Sequence, residues 1–302
     1  EYRVTVPATS ANLGSGFDCL ALALDLTLGV AARPAPELRV TVRGEGAPEL
    51  PTDGRNLIVR AYRQTLETLG IKWAPLNLRI TNGIPLKRGL GSSAAAAVAG
   101  IALAHLVAGR RFEVLDLLRL AAAIEGHPDN AAAAVLGGVA LVFEAEGRAQ
   151  AVGLPVPRNL GVVLFVPDRD LSTEEARRVL PPTVPLADAV FNLSRPALWA
   201  VALLANRLDL LRVATEDRLH QPARQGLIPE LGPLVRTALE AGALGACLSG
   251  AGPSVIAFVD TRTDAGERVA AVWTETARRL DFPGRVLRPS IRRQGITAEV
   301  RS

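Results

Sequence analysis

Methionine is absent from this 302-residue chain, lysine occurs only as Lys72 and Lys87, and cysteine only as Cys19 and Cys247. Histidine occurs three times, and aromatic residues make up 4% of the whole. Each shortage excludes something. The cysteines lie far apart in apolar surroundings and have no metal-ligand spacing. That predicts two buried free thiols in a cytoplasmic protein rather than a disulfide framework. The histidines also lack ligand spacing, so no zinc site is expected. No uncharged apolar run reaches the roughly 18 residues of a membrane span. The start, Glu1 to Val6, alternates like a strand and lacks the apolar stretch of a signal peptide.

The net charge of +4 and pI near 9.7 allow a nucleic-acid partner. Scattered arginines and scarce aromatics argue against one, because no binding stripe or base-stacking platform can be drawn. Pairs such as Arg110-Arg111 and Arg292-Arg293 read as solvated faces. The positive field favours a small anionic ligand instead.

The most informative stretch is Pro85-Leu86-Lys87-Arg88-Gly89-Leu90-Gly91-Ser92-Ser93-Ala94-Ala95, which leads into an Ala-rich run ending at His105. Glycines allow sharp bends and close approach to a ligand. Serines suit a helix cap. A helix start attracts anions, most simply a phosphate. An ordinary glycine turn before a capped helix explains the bare Gly-Leu-Gly-Ser-Ser equally well. A Walker A loop is excluded, since no Gly-Lys-Ser/Thr closes the motif. The segment from Gly89 to Ala94 also fits the dinucleotide pattern G-x-G-x-x-G/A, with Glu113 roughly 20 residues on. That pattern should follow a buried, all-apolar strand. Here Leu76–Thr81 alternates apolar and polar residues, as a half-buried antiparallel strand does. The polar segment Asn82–Arg88 then intervenes.

Strands are predicted at Tyr2–Val6, Cys19–Val30, Leu38–Arg43, Leu76–Thr81 and Val139–Phe143. Helices are predicted at Asn56–Leu69, Ala94–Val107 and Val114–Glu125. The Pro/Gly-rich stretch Gly153–Asn159 marks a domain boundary, giving domains 1–156 and 157–302. Beyond it come a strand at Leu160–Val166 and helices at Thr173–Val179, Leu186–Asn206, Leu208–Thr215 and Leu231–Ala241. Strands at Ala246–Leu248 and Val255–Val259 and a helix at Ala265–Arg279 complete the pattern. This mixed order implies two α+β domains.

Three further clusters carry polar chemistry. Pro7–Asp18 is rich in small polar residues and is expected to form a loop. Its Asn12 and Asp18 could hold an ammonium or hydroxyl group, or form a structural Asx turn. Glu125-Gly-His-Pro-Asp-Asn130 crowds polar groups at a helix end, where a carboxylate could complete Mg²⁺ coordination beside the loop serines. Its His127 could bind a substrate carboxylate or cap backbone groups. The third cluster, Cys247–Ser254, uses Gly250 and Gly252 for tight backbone approach, either in a hairpin or against a ligand. Arg177 and Arg224 suit carboxylate or phosphate recognition, although any single arginine is more often a surface residue.

Together these segments resemble the GHMP kinases, a family named for galactokinase, homoserine kinase, mevalonate kinase and phosphomevalonate kinase. Pro85–Ala95 is similar to the family's phosphate loop, and Leu248–Ser254 to its C-terminal glycine motif. Val6–Asp18, Glu125–Asn130, Ser172–Arg177 and Asp217–Arg224 resemble the family's homoserine-phosphorylating branch. The resemblance implies an N-terminal ATP-binding domain like domain 2 of ribosomal protein S5, and a ferredoxin-like C-terminal domain. It implies ATP-dependent phosphorylation of the L-homoserine hydroxyl, a step toward threonine, and it accommodates a homodimer. Asn12, Asp18, His127, Arg177 and Arg224 would hold the amino acid. Ser93 and Glu125 would ligate Mg²⁺, with Ser92 close by. Asn56 would lie near the nucleotide, and Thr173 near the reacting hydroxyl. Several relatives have an aspartate, a candidate base, where this chain has Asn130. An amide cannot take a proton at neutral pH, so catalysis without a protein base is expected, with Asp129 as the rival base.

Overall fold

The computed structural model describes residues 1–301. Its first sheet has seven strands. They are β1 (Tyr2–Asn12), β2 (Gly16–Pro34), β3 (Arg39–Gly44), β4 (Leu76–Asn82), β5 (Val139–Ala145), β6 (Arg148–Leu154) and, from the far end of the chain, β11 (Thr297–Val300). The main order is β11-β1-β2-β4-β3, with β5 also beside β2 and β6 outside it. Only β3 and β4 run parallel within it. As its alternation predicts, β4 buries Leu76, Leu78 and Ile80 and exposes Asn77, Arg79 and Thr81. Three helices, α2 (Ser92–Val107), α3 (Val114–Glu125) and α4 (Asp129–Leu136), pack with this sheet, and α1 (Leu57–Thr68) packs against α2.

The second sheet contains β7 (Leu160–Pro167), β8 (Gly245–Leu248), β9 (Val255–Asp260) and β10 (Gly284–Leu287). Its order, β10-β7-β9-β8, is fully antiparallel. Numbered within the domain this is 4-1-3-2, the ferredoxin-like arrangement. Five helices lie between β7 and β8: α5 (Thr173–Arg178), α6 (Leu186–Leu204), α7 (Leu211–Ala214), α8 (Gln221–Arg224) and α9 (Leu231–Glu240). The last helix, α10 (Ala265–Arg279), joins β9 to β10. The expected helix over Leu208–Thr215 is a 3₁₀ turn, Leu208–Leu210, running into the short α7.

The two sheets share a core. On β7, Val162, Leu164 and Val166 pack in the cluster that includes the first sheet, whereas Val163 and Phe165 face a second cluster around Trp273. A strand buried on both faces reads as a continuous apolar run, and Leu160–Val166 is one. The chain crosses between the sheets at the Pro/Gly-rich stretch after β6. It returns at its end, where Ile291 bridges Leu24 and β11 pairs with β1.

One expectation needs correction. Pro7–Asp18 is mostly strand rather than loop, because β1 continues to Asn12 and β2 begins at Gly16. Thr9, Ser10 and Asn12 are buried. Their polar groups find partners across the fold: Thr9 Oγ1 donates to Asn130 Oδ1 (2.7 Å), and the hydroxyls of Ser10 and Ser249 share a hydrogen bond (2.8 Å). Paired in this way, polar side chains lie inside a strand without desolvation cost dominating.

Among the described residues no helix is long and apolar enough to cross a membrane. The helix that positions the site is α2, buried along nearly its whole length. Gly100 lets it meet α1, since a Cβ there would lie 2.3 Å from the Ile58 carbonyl oxygen. In an exposed helix Gly→Ala stabilises by about 0.5–1 kcal/mol. Overpacking costs about 1–3 kcal/mol, and a backbone carbonyl cannot rotate away. We therefore expect Gly100→Ala to lower the denaturation midpoint, a net loss of about 1–2 kcal/mol. A raised midpoint would show that α1 yields freely.

Candidate functional site

Gly91, at φ 67°, forms the N-cap of α2, and no side chain caps the helix. The serines therefore do not act as caps; they occupy the first two helical positions. The amides of Ser92, Ser93 and Ala94 donate to no backbone carbonyl, and the first amide to find one is Ala95, which bonds Gly91. Open donors at a helix start, with the positive end of its dipole, make a seat for an anion. No side chain can replace Gly91, because a Cβ would lie 1.9 Å from Thr9 Oγ1.

The two glycine loops touch. A Cβ on Gly89 would lie 2.2 Å from the Ser249 carbonyl oxygen, and one on Gly250 would lie 3.1 Å from that of Gly89. Ser249 Oγ donates to the Gly89 carbonyl (2.8 Å), and Gly250 N–H to that of Ala11 (3.0 Å). The loop cations point to protein partners. Arg88 donates to the carbonyls of Pro167 (2.5 Å) and Asp168 (2.6 Å) and pairs with Asp170. Lys87 Nζ also reaches Asp170, at 3.0 Å. The open helix start is thus flanked by bare backbone, and the cations fasten its loop to the end of β7 and the segment after it.

A second group gathers around Asp18, which Arg177 of α5 clasps with both terminal nitrogens (2.7 and 3.1 Å). Each partner is about one-third exposed, at 35% for Asp18 and 36% for Arg177. Arg224 of α8 is 1% exposed. Its Nε donates to the Ala176 carbonyl (3.1 Å), while Nη1 meets His220 Nδ1 (2.9 Å) and the Gly250 carbonyl (3.3 Å). Burial, reinforced by Arg177, pulls its guanidinium down to about 10. Phe17 lies near both guanidiniums, at 5.6 Å for Arg177 and 5.5 Å for Arg224. Asn12 is committed elsewhere, with Nδ2 donating to the Gly250 carbonyl (2.9 Å) and Oδ1 accepting from Asp18 N–H (3.1 Å). It shapes the pocket through its neighbours.

Between these groups lies the turn before α4. Asp129 is 2% exposed, and its Oδ1 accepts from His127 Nδ1 (2.9 Å) and Asn130 N–H (2.7 Å). Asn130 Nδ2 lies 3.4 Å from the same oxygen. The hydrogen bond that His127 donates to Asp129 raises the His127 pKa above its ordinary 6.5, against partial burial. Ser93 Oγ donates to Glu125 Oε1 (2.6 Å), placing two oxygens beside the open start of α2. Among the described residues no three acidic, histidine or cysteine side chains form a ready metal cage. A Mg²⁺ ion would therefore need phosphate or water oxygens as well, as Mg²⁺ sites ordinarily do.

All of these surfaces meet in one cleft of about 390 Å³. It is lined by Asn12, Asp18, Pro85–Ala94, Glu125, His127, Asp129, Asn130, Thr173, Arg177, Arg224 and Gly250. Ala95, Gly252 and Asn56 do not line it. Ala95 is buried in the core, and a Cβ on Gly252 would strike Ile228. Asn56 caps α1, accepting from Ile58 N–H (3.0 Å) and donating to the Pro51 carbonyl (2.8 Å). Sequence reasoning missed Phe17, His220, Asp170 and the lining residues Leu50 and Leu57. The His220/Arg224 spacing of four was the one available signal, since it puts two side chains on one helical face. A larger hollow, about 490 Å³ along α8 and α9, has no glycine loop in its lining.

Residues 56–138 match the family described as GHMP kinases N terminal domain, and residues 199–278 match GHMP kinases C terminal. The chain is 50% identical over 256 residues to a homoserine kinase of Thermus thermophilus, covering 85% of this chain and 86% of that one. It is 43% identical over 267 residues to a homoserine kinase of Caldicellulosiruptor saccharolyticus, covering 88% and 86%. A crystal structure of homoserine kinase from Cytophaga hutchinsonii superposes with TM-score 0.87 at 32% identity, covering 98% of this chain and 96% of that one.

The His127–Asp129 contact gives a test with a definite sign. A raised histidine pKa contributes stability that is fully present below the unfolded value of 6.5 and is lost as pH rises through the folded value. The stability difference between the native protein and His127→Gln should therefore be larger at about pH 5.5 than at about pH 9. Denaturant titration at both values checks this. A difference that grows with pH would remove the charged pair.

Proposed function

We propose that this chain, which belongs to the GHMP kinase family, transfers the γ-phosphoryl group of ATP to the side-chain hydroxyl of L-homoserine. The products are O-phospho-L-homoserine and ADP, on the route to threonine, and the reaction is assigned to the cytoplasm. ATP is the co-substrate of this kinase family. The observation that carries the choice of acceptor is the Asp18–Arg177 pair beside buried Arg224, in the same cleft as the open start of α2.

An α-amino acid brings one carboxylate and one ammonium. Without it, Asp18 and Arg177 satisfy each other; with it, Asp18 takes the ammonium and the arginines take the carboxylate. The Arg224 nitrogen that makes none of the bonds above, Nη2, completes the carboxylate site. A hydroxy acid without an amino group would set its carboxylate against Asp18 with nothing to offset it. Sites built around paired polar groups reject ligands that leave those groups unpaired.

The phosphates sit on the amides of Ser92, Ser93 and Ala94, with Gly89 and Gly250 allowing close approach. Ser93 and Glu125 would hold Mg²⁺, which when bound neutralises phosphate charge. Thr173, in the first turn of α5, borders the reacting hydroxyl. No side chain acts as general base: Asn130 presents its Oδ1 to Thr9, and one Asp129 oxygen already accepts from His127 and Asn130. The alcohol proton leaves with the transferred phosphate or to solvent, as suits a loose transition state governed by positioning and charge. A homodimer is supported by the solvent face of α6, where Leu186, Val190, Leu193, Val201 and Leu204 are exposed along one helical stripe.

ADP release on mixing protein, Mg²⁺, ATP and L-homoserine tests the assignment. Turnover with L-homoserine is expected, together with far slower turnover on the same alcohol lacking the amino group. ADP release from mevalonate but not from L-homoserine would refute the substrate. In the same assay Asp129→Asn should reduce kcat by less than about tenfold, whereas loss of a general base costs about 10²–10⁴-fold. A loss of that larger size would make Asp129 the base.

A further inference from the structure

His220 stands outside the cleft lining, yet it touches a residue that binds there. Its ring is fully buried and stacks on Phe17, with centroids 5.2 Å apart and planes 27° apart. Nε2 lies 2.7 Å from the Gly14 carbonyl oxygen, in the turn between β1 and β2. A carbonyl only accepts, so Nε2 must carry the hydrogen. Nδ1 lies 2.9 Å from Arg224 Nη1, and a guanidinium only donates, so Nδ1 must present its lone pair. These two neighbours admit one form of the ring, the neutral Nε2–H tautomer.

We propose that His220 is a positioning residue for substrate binding, holding Arg224 by its Nη1 so that Nη2 is directed at the amino-acid carboxylate. The proposal rests on the reading of Arg224 given above. Three groups fix the ring itself: Phe17 beneath it, Gly14 at one nitrogen and Arg224 at the other. The charged groups facing it are Asp217, Arg224 and Asp18. Asp217 Oδ2 is 3.6 Å from Nε2. That carboxylate already accepts from Asn192 Nδ2 and from the backbone N–H groups of Leu219, His220 and Gln221. It holds the turn into α8 rather than charging the ring. Burial holds the imidazole pKa well below its ordinary value, which keeps the acceptor free at neutral pH. A protonated ring would set two donors against each other and release the guanidinium.

The test uses steady-state kinetics on the full chain. His220→Phe keeps the stack but cannot accept from Arg224. It should raise the KM for L-homoserine by about tenfold, as loss of one hydrogen bond to a charged group implies. The KM for ATP and kcat should stay within about twofold of the native values, because the phosphate seat is untouched. His220→Asn places an acceptor oxygen near the Nδ1 position and should recover most of the affinity, whereas His220→Gln should not. If His220→Phe fails to fold, the Asn and Gln variants alone decide. A higher KM for Gln than for Asn supports positioning, and equal values overturn it. Arg224→Leu separates the two levels. If it leaves the homoserine KM unchanged, the carboxylate assignment fails. If it raises KM while His220→Phe does not, only the role of His220 fails.

Discussion

Everything in this site depends on bare backbone meeting bare backbone where the loop before α2 touches the loop after β8. Gly89 lies against Ser249 at a distance that leaves no room for a side chain, and Gly250 packs tightly against Gly89. This contact joins the two sheets at the point where α2 begins. No side chain caps α2, and its first three amides bond no backbone carbonyl, so they remain open. Arg88 secures the same junction by donating to Pro167 and Asp168, at the end of β7. The site is therefore a consequence of how the sheets are closed together.

A balance of charge is built on that frame. Burying a guanidinium is costly unless its donors are met, and Arg224 meets that demand at Nε and Nη1 with two carbonyls and an imidazole, leaving Nη2 toward the cleft. Arg177 and Asp18 lie nearer the solvent and pair with each other. The first arrangement is fixed and the second is exchangeable. A zwitterionic ligand can replace the exchangeable pair without leaving any charge alone, which is how recognition of an amino acid can coexist with a stable empty cleft.

Much of this was legible in the chain. The period of two in Leu76–Thr81, the glycine loops and the helix at Ala265–Arg279 were all readable, because local pattern and tertiary role agree there. The strand through Thr9, Ser10 and Asn12 was not, since its polar groups are satisfied by residues more than a hundred positions away. Asn12 lines the cleft and Asn56 does not, and both satisfy backbone groups in the fold. Lys87 and Arg88 looked like phosphate ligands, and only Asp170 and the end of β7 reveal their other task. The short β10 and β11 carry too little pattern to be seen. The pairing of β11 with β1 is set by the sheet edge rather than by composition.

The central claim is that phosphate sits on the open amides at the start of α2. The most direct measurement is two-dimensional amide NMR of the isotope-labelled protein during titration with ATP, without added metal. The amides of Ser92, Ser93 and Ala94 should move downfield together and saturate with the binding curve. If ATP binding saturates while these three resonances stay in place, the phosphate lies elsewhere and the account is wrong.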